Sequence, residues 1–417
     1  MRGNPEGNYS ACRICMSSNL EEILDYGNVA LADGFLDTED DIVDEKSYPL
    51  HLMFCLDCRH VQISEILSPG LLFQDYVYET NTSDAITSYV TKFSQEILIR
   101  YGSGHHLPRV LEIASNDGTV LSCFKEQGCE ILGIDPAENI ASVANNKGIR
   151  TLPEFFSQTI AESVINEYGK WDIIIARNVI AHVKELHSVF QGIRLLLADE
   201  GFCVIEVPHL ETMFRELQYD QVFHEHIGYH SLDSIVRLAD QFGMKVVDVE
   251  KVWVHGGSIR VFLQPSQSSK RSADNVKQML HDEMKIGLLE MNRWDEFRQR
   301  VINQRDLLRK EIDLLNGSGL KVAAYGASGK GQSMLQFVGL DQRLVEYVVD
   351  RSARKQGKLT PGTHIKIFPP SHIYKEFPDV ILLCAWNLSK EIYKQEEEYI
   401  KLGGRILHPL PEPHYVA

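Results

Sequence analysis

Four cysteines stand in two tight pairs, Cys12/Cys15 and Cys55/Cys58, each with two residues between its thiols. A C-x-x-C turn aims two thiolates at one point, and two such turns complete the tetrahedral sulfur shell that Zn²⁺ prefers. Four sulfur ligands leave no open position for water, so the expected ion is structural. A redox dithiol would need one pair in a thioredoxin-like βαβ setting, which the flanking sequence lacks. Zinc ribbons serve enzymes and nucleic-acid proteins alike, so the metal alone says little about function. Cys123, Cys129, Cys203 and Cys384 are scattered and read as small buried apolar residues.

A second chemical signal lies at residues 110–118, where Val-Leu-Glu-Ile-Ala-Ser-Asn-Asp-Gly reads as a strand, an acidic polar loop and a helix start. Asp135-Pro136 follows at the end of the next strand, where a carboxylate can accept hydrogen bonds from both ribose hydroxyls of an adenosine. The loop is not G-x-G-x-x-G, the form that lets backbone N–H groups touch a pyrophosphate. It offers carboxylate and amide oxygens, which suit a cationic cofactor without phosphate. S-adenosylmethionine, with its ammonium and sulfonium, fits better than NAD. Glu112, Ala114, Asn116, Asp117, Gly118, Asp135, Pro136 and Asn178 are the expected cofactor contacts.

The third signal is Gly326-Ala327-Ser328-Gly329-Lys330-Gly331, small residues and a lysine opening a helix. Such a turn can cradle phosphate. The spacing is not that of a P-loop, so ATP hydrolysis is not implied. Asp350, ending the next strand, sits where a ribose-binding acid would, which keeps NAD open. A nucleotide diphosphate moiety is the preferred ligand, against a purely structural tight turn.

Phe223-His224-Glu225-His226 is the fourth signal, and its H-E-H spacing excludes the helical H-E-x-x-H zinc site. In an extended segment His224 and His226 share a face, with Glu225 opposite. A neutral histidine near its unperturbed pKa is the best-matched general base at physiological pH. His182 follows the fourth strand, at the cofactor edge of such sheets. A lone histidine is more often a satisfied structural residue; a triplet beside a cofactor cleft favours chemistry.

The elements that must position these groups form three parts. Residues 1–70 read as a zinc-binding domain with few long periodic elements, and the acidic run at 37–41 as a solvated loop. Residues 71–265 alternate buried strands (110–113, 130–134, 171–176, 202–207) with helical stretches, the mark of a parallel sheet wound on both faces. Strands at 245–249 and 258–263 would close that sheet with an edge hairpin. Residues 266–316 read as a linker of one or two amphipathic helices, and 317–417 as a second Rossmann-like α/β domain for a nucleotide diphosphate moiety. The fold class is therefore α/β: a zinc-binding N-terminal domain, a central class I methyltransferase Rossmann-like domain, and a C-terminal Rossmann-like domain.

The formal charge of the 417-residue chain is −16, which argues against nucleic acid or an anionic membrane surface as main partner. No apolar stretch approaches the ~20 residues of a membrane helix, and the first residues lack an apolar signal core, so a cytoplasmic protein is expected.

In this order the motifs resemble those of the sugar C-methyltransferases that act on nucleotide-linked 4-keto-deoxysugars. The resemblance spans nearly the whole chain: the four cysteines, residues 75–78 (Asp-Tyr-Val-Tyr), 111–118, 178–183, 219–226, 255–260 and the 326–331 turn. It implies S-adenosylmethionine and structural zinc as cofactors. It makes His226 the base, with Glu225, Tyr78, His182 and His224 around the reacting sugar. It adds Phe223, His255, Arg260, Ser328, Gly329, Lys330, Trp386 and Asn387 as substrate contacts. Family members usually carry Tyr before His-Glu-His where this chain has Phe223, so one hydroxyl near the sugar is missing. His224, Tyr219 and Tyr229 are candidate replacements. The implied reaction is methylation of a carbon alpha to the ketone, expected at C3, through an enolate. A monomer or weak homo-oligomer is expected. Rival readings are an O- or N-methyltransferase of small molecules and a zinc-ribbon RNA-modifying protein.

Overall fold

Strands that are interrupted by charges and bulges still form a sheet when one face has something to cover. The computed structural model describes residues 7–8, 11–68, 72, 84–102 and 107–416. Its N-terminal sheet contains β1 (Leu20–Ala30), β2 (Ser47–Cys55) and β3 (Val61–Ile63), paired antiparallel. Ile23, Leu24, Leu50, Leu52, Phe54, Val61 and Ile63 are buried and belong to one apolar cluster. The acidic run expected as a loop closes into a 3-10 turn, Glu39–Asp44, with no buried residue.

The central sheet is built as its Val/Ile runs require. After α1 (Asp84–Tyr101) come β4 (Arg109–Ile113), α2 (Thr119–Glu126), β5 (Glu130–Ile134), α3 (Glu138–Asn146), β6 (Thr151–Leu152), α4 (Gln158–Tyr168) and β7 (Trp171–Arg177). Then follow α5 (Leu186–Leu196), β8 (Leu197–Pro208), α6 (Leu210–Glu216), β9 (Gly228–Tyr229), α7 (Leu232–Gln241), β10 (Met244–Val252) and β11 (Ser258–Pro265). The seven-stranded order is β10-β11-β8-β7-β4-β5-β6. β4 to β8 pair in parallel, while β10 and β11 form the antiparallel edge hairpin. Alternate residues serve opposite faces. Ile173 and Ile175 pack with Val90, Phe93 and Phe124, whereas Ile174 and Ala176 pack with Phe190, Ile193, Leu232 and Leu238 on the other side.

β9 does not join that sheet. It pairs with β3, Gly228 opposite Gln62, so the segment just after the histidine cluster is an edge strand of the N-terminal sheet.

Residues 266–316 hold α8 (Asp274–Lys285) and most of α9 (Met291–Gly317). α9 does more than connect. Its Trp294, Phe297, Val301, Leu308 and Ile312 are fully buried, in one cluster with Phe54 of the N-terminal sheet and Val322 of the C-terminal part.

The C-terminal sheet runs β14-β13-β12-β15-β16-β17. Its strands are β12 (Val322–Tyr325), β13 (Val348–Val349), β14 (Ile367–Phe368), β15 (Val380–Leu383), β16 (Arg405–His408) and an antiparallel β17 (His414–Val416). The glycine-rich turn leads from β12 into α10 (Gly329–Val338), capped by the Ser328 hydroxyl accepting from Gly331 N. Among the described residues no helix is long and apolar enough to cross a membrane.

Candidate active site

The four cysteine sulfurs lie within 4.8 Å of one another. Cys12 and Cys58 Sγ are 3.3 Å apart, and Cys15 and Cys55 Sγ 3.5 Å. A tetrahedron with ~2.3 Å zinc–sulfur bonds has edges of about 3.8 Å, so around an ion the two close pairs would open slightly and the widest separations draw in. The two turns match: Met16 N donates to Cys12 O and Arg59 N to Cys55 O, both 2.8 Å. Met16 and Arg59, directly after each pair, both take positive φ, 62° and 67°. This donor set fits zinc and leaves it no solvent ligand. Cys129, Cys203 and Cys384 are buried elsewhere, and Cys123 is half-buried.

A cavity of about 380 Å³ opens at the carboxyl ends of β4, β5 and β7. That size suits a nucleoside-sized ligand. Glu112, Ala114, Asn116, Asp135, Pro136, Asn178, His182 and His255 line it, joined by Arg177 and by Phe155 and Phe156. Ala114, Asn116, Asn178 and His255 are non-glycine residues with φ between 50° and 57°. Backbone strain of this kind, of order 1–3 kcal/mol per residue, gathers where a site needs particular groups presented.

Glu112 is buried at the cavity wall, and burial, offset by Arg177, pushes its carboxyl well above the usual range. Its Oε2 and Asn178 Oδ1 are buried acceptors without a hydrogen-bond partner among the described residues. Such acceptors suit an ammonium or sulfonium neighbour. Asp135 takes Asn116 N at 2.8 Å on one oxygen and Ala137 N at 3.0 Å on the other. Each oxygen keeps a second lone pair for a hydroxyl. Burial raises this carboxyl too. The lining therefore fits S-adenosylmethionine.

Asp117 and Gly118 are not in the lining. The Asp117 carboxylate holds Thr119 N and Oγ1 and the Lys147 ammonium, while Gly118, at φ 77°, packs on Ile149. They shape the loop from behind.

The histidine segment is a turn, not the extended run the spacing implied. His226 N donates to Phe223 O at 2.9 Å, and the three polar side chains leave in different directions. His224 Nε2 donates to Pro49 O, 3.0 Å away in the N-terminal sheet. Glu225 is buried beside Asp33 and Lys355, and burial with Asp33 lifts its carboxyl well above the usual range. His226 Nδ1 lies 2.9 Å from Gln221 O. A carbonyl only accepts, so Nδ1 carries the proton and Nε2 keeps its lone pair. Burial, then His182 and Lys330, hold His226 well below its usual value, so it is neutral.

His182 joins this turn to the cavity. Its ring stands 4.8 Å from that of His226, centroid to centroid, and it donates to Glu225 O. Burial lowers it to about 4. The Phe223 ring lies 4.0 Å from the His226 ring and touches the Gly329 backbone. Tyr219 is buried, and the Tyr229 hydroxyl donates to Gln221 O. Tyr78 and the rest of residues 75–78 lie outside the described residues.

The expected sugar-nucleotide contacts divide. His255 lines the cavity and accepts from Asn178 Nδ2 at 2.9 Å. Arg260 instead enters a buried ion cluster with Glu206, Glu96, Glu250 and the Tyr89 hydroxyl, away from the lining. The Lys330 ammonium turns inward and donates to His255 O at 2.6 Å. Trp386 Nε1 donates to Asp220 Oδ2 at 2.6 Å, and Asn387 follows on the same half-buried turn. Asp350 is used by the glycine-rich turn itself, accepting from Ala327 N and Ser352 N. Within the polar run 218–221 only Tyr219 received a role from the sequence; Gln218, Asp220 and Gln221 did not, and their burial was the missing signal.

Residues 253–411 match the family described as C-methyltransferase C-terminal domain, residues 78–249 one described as Methyltransferase domain, and residues 12–73 a zinc binding domain. The C-methyltransferase NovU of Streptomyces niveus is 34% identical over 406 residues, covering 97% of this chain and 96% of that protein. The chain belongs to the C-methyltransferase family. A ubiquinone biosynthesis O-methyltransferase of Rhodopseudomonas palustris is 30% identical over 98 residues, 23% of this chain and 38% of that protein. A solved magnesium protoporphyrin IX methyltransferase from Synechocystis, at 12% identity, covers 45% of this chain and 86% of its own, with TM-score 0.33. This C-methyltransferase is S-adenosylmethionine-dependent and has a four-cysteine zinc-binding domain at its N-terminus.

Proposed function

We propose that this C-methyltransferase methylates C3 of a nucleotide diphospho-4-keto-6-deoxyhexose, using His226 as the base. The observation that carries the reading is the His226 tautomer: a neutral ring, pinned through Nδ1, with a free Nε2 lone pair beside His182 of the cavity wall. A C3 proton is removable because the C4 carbonyl takes up the charge as an enolate. His226 Nε2 takes that proton, and the nucleophile is then the enolate carbon.

The methyl donor, held by Glu112, Asn178 and Asp135, supplies an electrophilic methyl group. The chain's own work is to fix base and carbon in near-attack geometry and to exclude water. Tyr78 serves the ketone oxygen, the role the resemblance implies, while His182, whose one ring proton goes to Glu225 O, packs edge-on against the base, and the buried Phe223 ring closes the space beside His226. The C-terminal domain, with the Ser328–Gly329 turn and Asn387, holds the nucleotide half. Oxygen methylation could use the same lone pair on a hydroxyl, but it would not exchange a carbon-bound proton.

The test is incubation in D₂O with TDP-, GDP- and CDP-4-keto-6-deoxysugars, with products read by mass spectrometry. The reading expects deuterium at C3 without the donor and a gain of one methyl with it. Methyl transfer to oxygen, or to carbon without any C3 exchange, would refute it.

A further inference from the structure

Lys330, Gln218, Gln221 and Trp386 converge on one three-residue turn. His255, Gly256 and Gly257 have φ values of 57°, 88° and 113°, so three successive residues are left-handed. For His255 that conformation is unfavourable and needs outside support. The support is visible. The His255 carbonyl accepts from Lys330 Nζ at 2.6 Å and from Gln221 Nε2 at 3.1 Å. The Gly256 carbonyl accepts from Gln218 Nε2 at 2.7 Å. The Trp386 ring packs so closely on Gly256 that an added Cβ would lie 2.6 Å from it.

What the turn presents is the His255 ring, which with Asn178 forms one wall of the cavity. Two of its supports, Lys330 and Trp386, come from the C-terminal domain. The same domain also holds the segment that carries the histidine turn, through Ser333 Oγ to Val222 O at 2.6 Å and Trp386 to Asp220. Lys330 is buried, with Asp220 as the carboxylate that offsets its charge. A lysine expected at the phosphate cradle is thus spent on the methyl-donor side.

We propose that Lys330 is a positioning residue for the methyl-donor cavity: its ammonium, donated to the His255 carbonyl, holds the left-handed turn that sets the His255–Asn178 wall. The inference rests on the cavity being the donor site, as in the function proposed above, but not on which carbon is methylated. It makes the C-terminal domain part of the donor site.

The sign of the effect separates position from charge. The donor is a cation, so deleting a nearby ammonium for electrostatic reasons alone would tighten binding. Loss of positioning weakens it.

The experiment is calorimetric titration of the zinc-loaded full chain with S-adenosylmethionine, no sugar present. Lys330→Met is expected to raise the donor Kd about ten-fold, in line with loss of a charge-assisted hydrogen bond. The double variant Lys330→Met/Asp220→Asn removes the buried charge imbalance and keeps the Trp386 acceptor, so the chain folds. It is expected to show the same ten-fold rise. Lys355→Met, which removes an ammonium bonded to Ala327 O instead, is expected to leave the donor Kd unchanged. An unchanged or lowered Kd in Lys330→Met, or a wild-type Kd in the double variant, overturns the proposal. A wild-type chain that binds no donor overturns the donor site itself, whereas donor binding without C3 exchange overturns only the sugar reading.

Discussion

Removing the His226 imidazole isolates the proton-transfer step. The Ala variant loses the group proposed to take the proton, while the cavity keeps its lining, since His182 and not His226 belongs to it. General-base catalysis contributes about 10²–10⁴-fold, or about 2.7–5.4 kcal/mol at 1.36 kcal/mol per tenfold. The upper half of that range is expected. His182 stands 4.8 Å away with its ring held by Glu225 O, so it does not move into the vacated position. Two assays read the effect: methyl transfer with the donor, and C3 deuterium exchange without it. Both should fall together, with donor Kd unchanged. The wild type adds a pH signature. A base works only when deprotonated, and His226 is pulled well below its usual value by burial, then by His182 and Lys330. With saturating donor, activity should therefore be flat from about pH 6.5 to 7.5, with no acidic limb at the ordinary histidine pKa of about 6.5. Exchange within about ten-fold of wild type in the variant, or a wild-type limb at an ordinary histidine pKa, would refute the assignment.

Burial lifts the Glu112 carboxyl well above the usual carboxylate range, and a docked cation should pull it back down. Donor binding is then expected to release a proton, tighten as pH rises, and show buffer-dependent enthalpy; Glu112→Gln should abolish the buffer dependence and weaken binding about ten-fold. Zinc should be found at one ion per chain by elemental analysis. Because β9 next to the histidine turn pairs with β3, chelation or Cys55→Ser should lower the melting temperature and methyl transfer in parallel. Trp294 is fully buried and donates to Leu288 O, so Trp294→Ala should cost about 3–5 kcal/mol in denaturant unfolding.

The central strands were legible because a strand buried on both faces reads as an unbroken Val/Ile run, as at 171–176. β1 was not. Leu20–Ala30 is bulged against β2 between Glu22 and Leu24 and again between Asp25 and Asn28, so no period-two alternation survives in its sequence. Spacing located the cysteine cluster, since ligand geometry is local. It also pointed to Glu112, Asp135 and Asn178, which the fold brings to one cavity. It misjudged the shape of Phe223–His226, because a single turn hydrogen bond, His226 N to Phe223 O, decides which way three side chains leave. The direction of Lys330 depends on Asp220 and His255, groups far away in sequence, and no local pattern encodes it. Arg260 is similar: its partners Glu96, Glu206 and Glu250 come from α1, β8 and β10.

α9 makes the three parts of the chain a single inheritance. One helix fills the floor of the zinc sheet with Trp294 and Phe297 and the underside of the last domain with Leu308 and Ile312. A chain cut before Met291 would uncover the floor of the zinc sheet, one cut after Gly317 would strip the helix from the last domain, and a C-terminal domain transplanted from a relative would arrive with a helix shaped for another sheet. Keeping both surfaces covered therefore requires the zinc sheet, α9 and the last domain to be exchanged together.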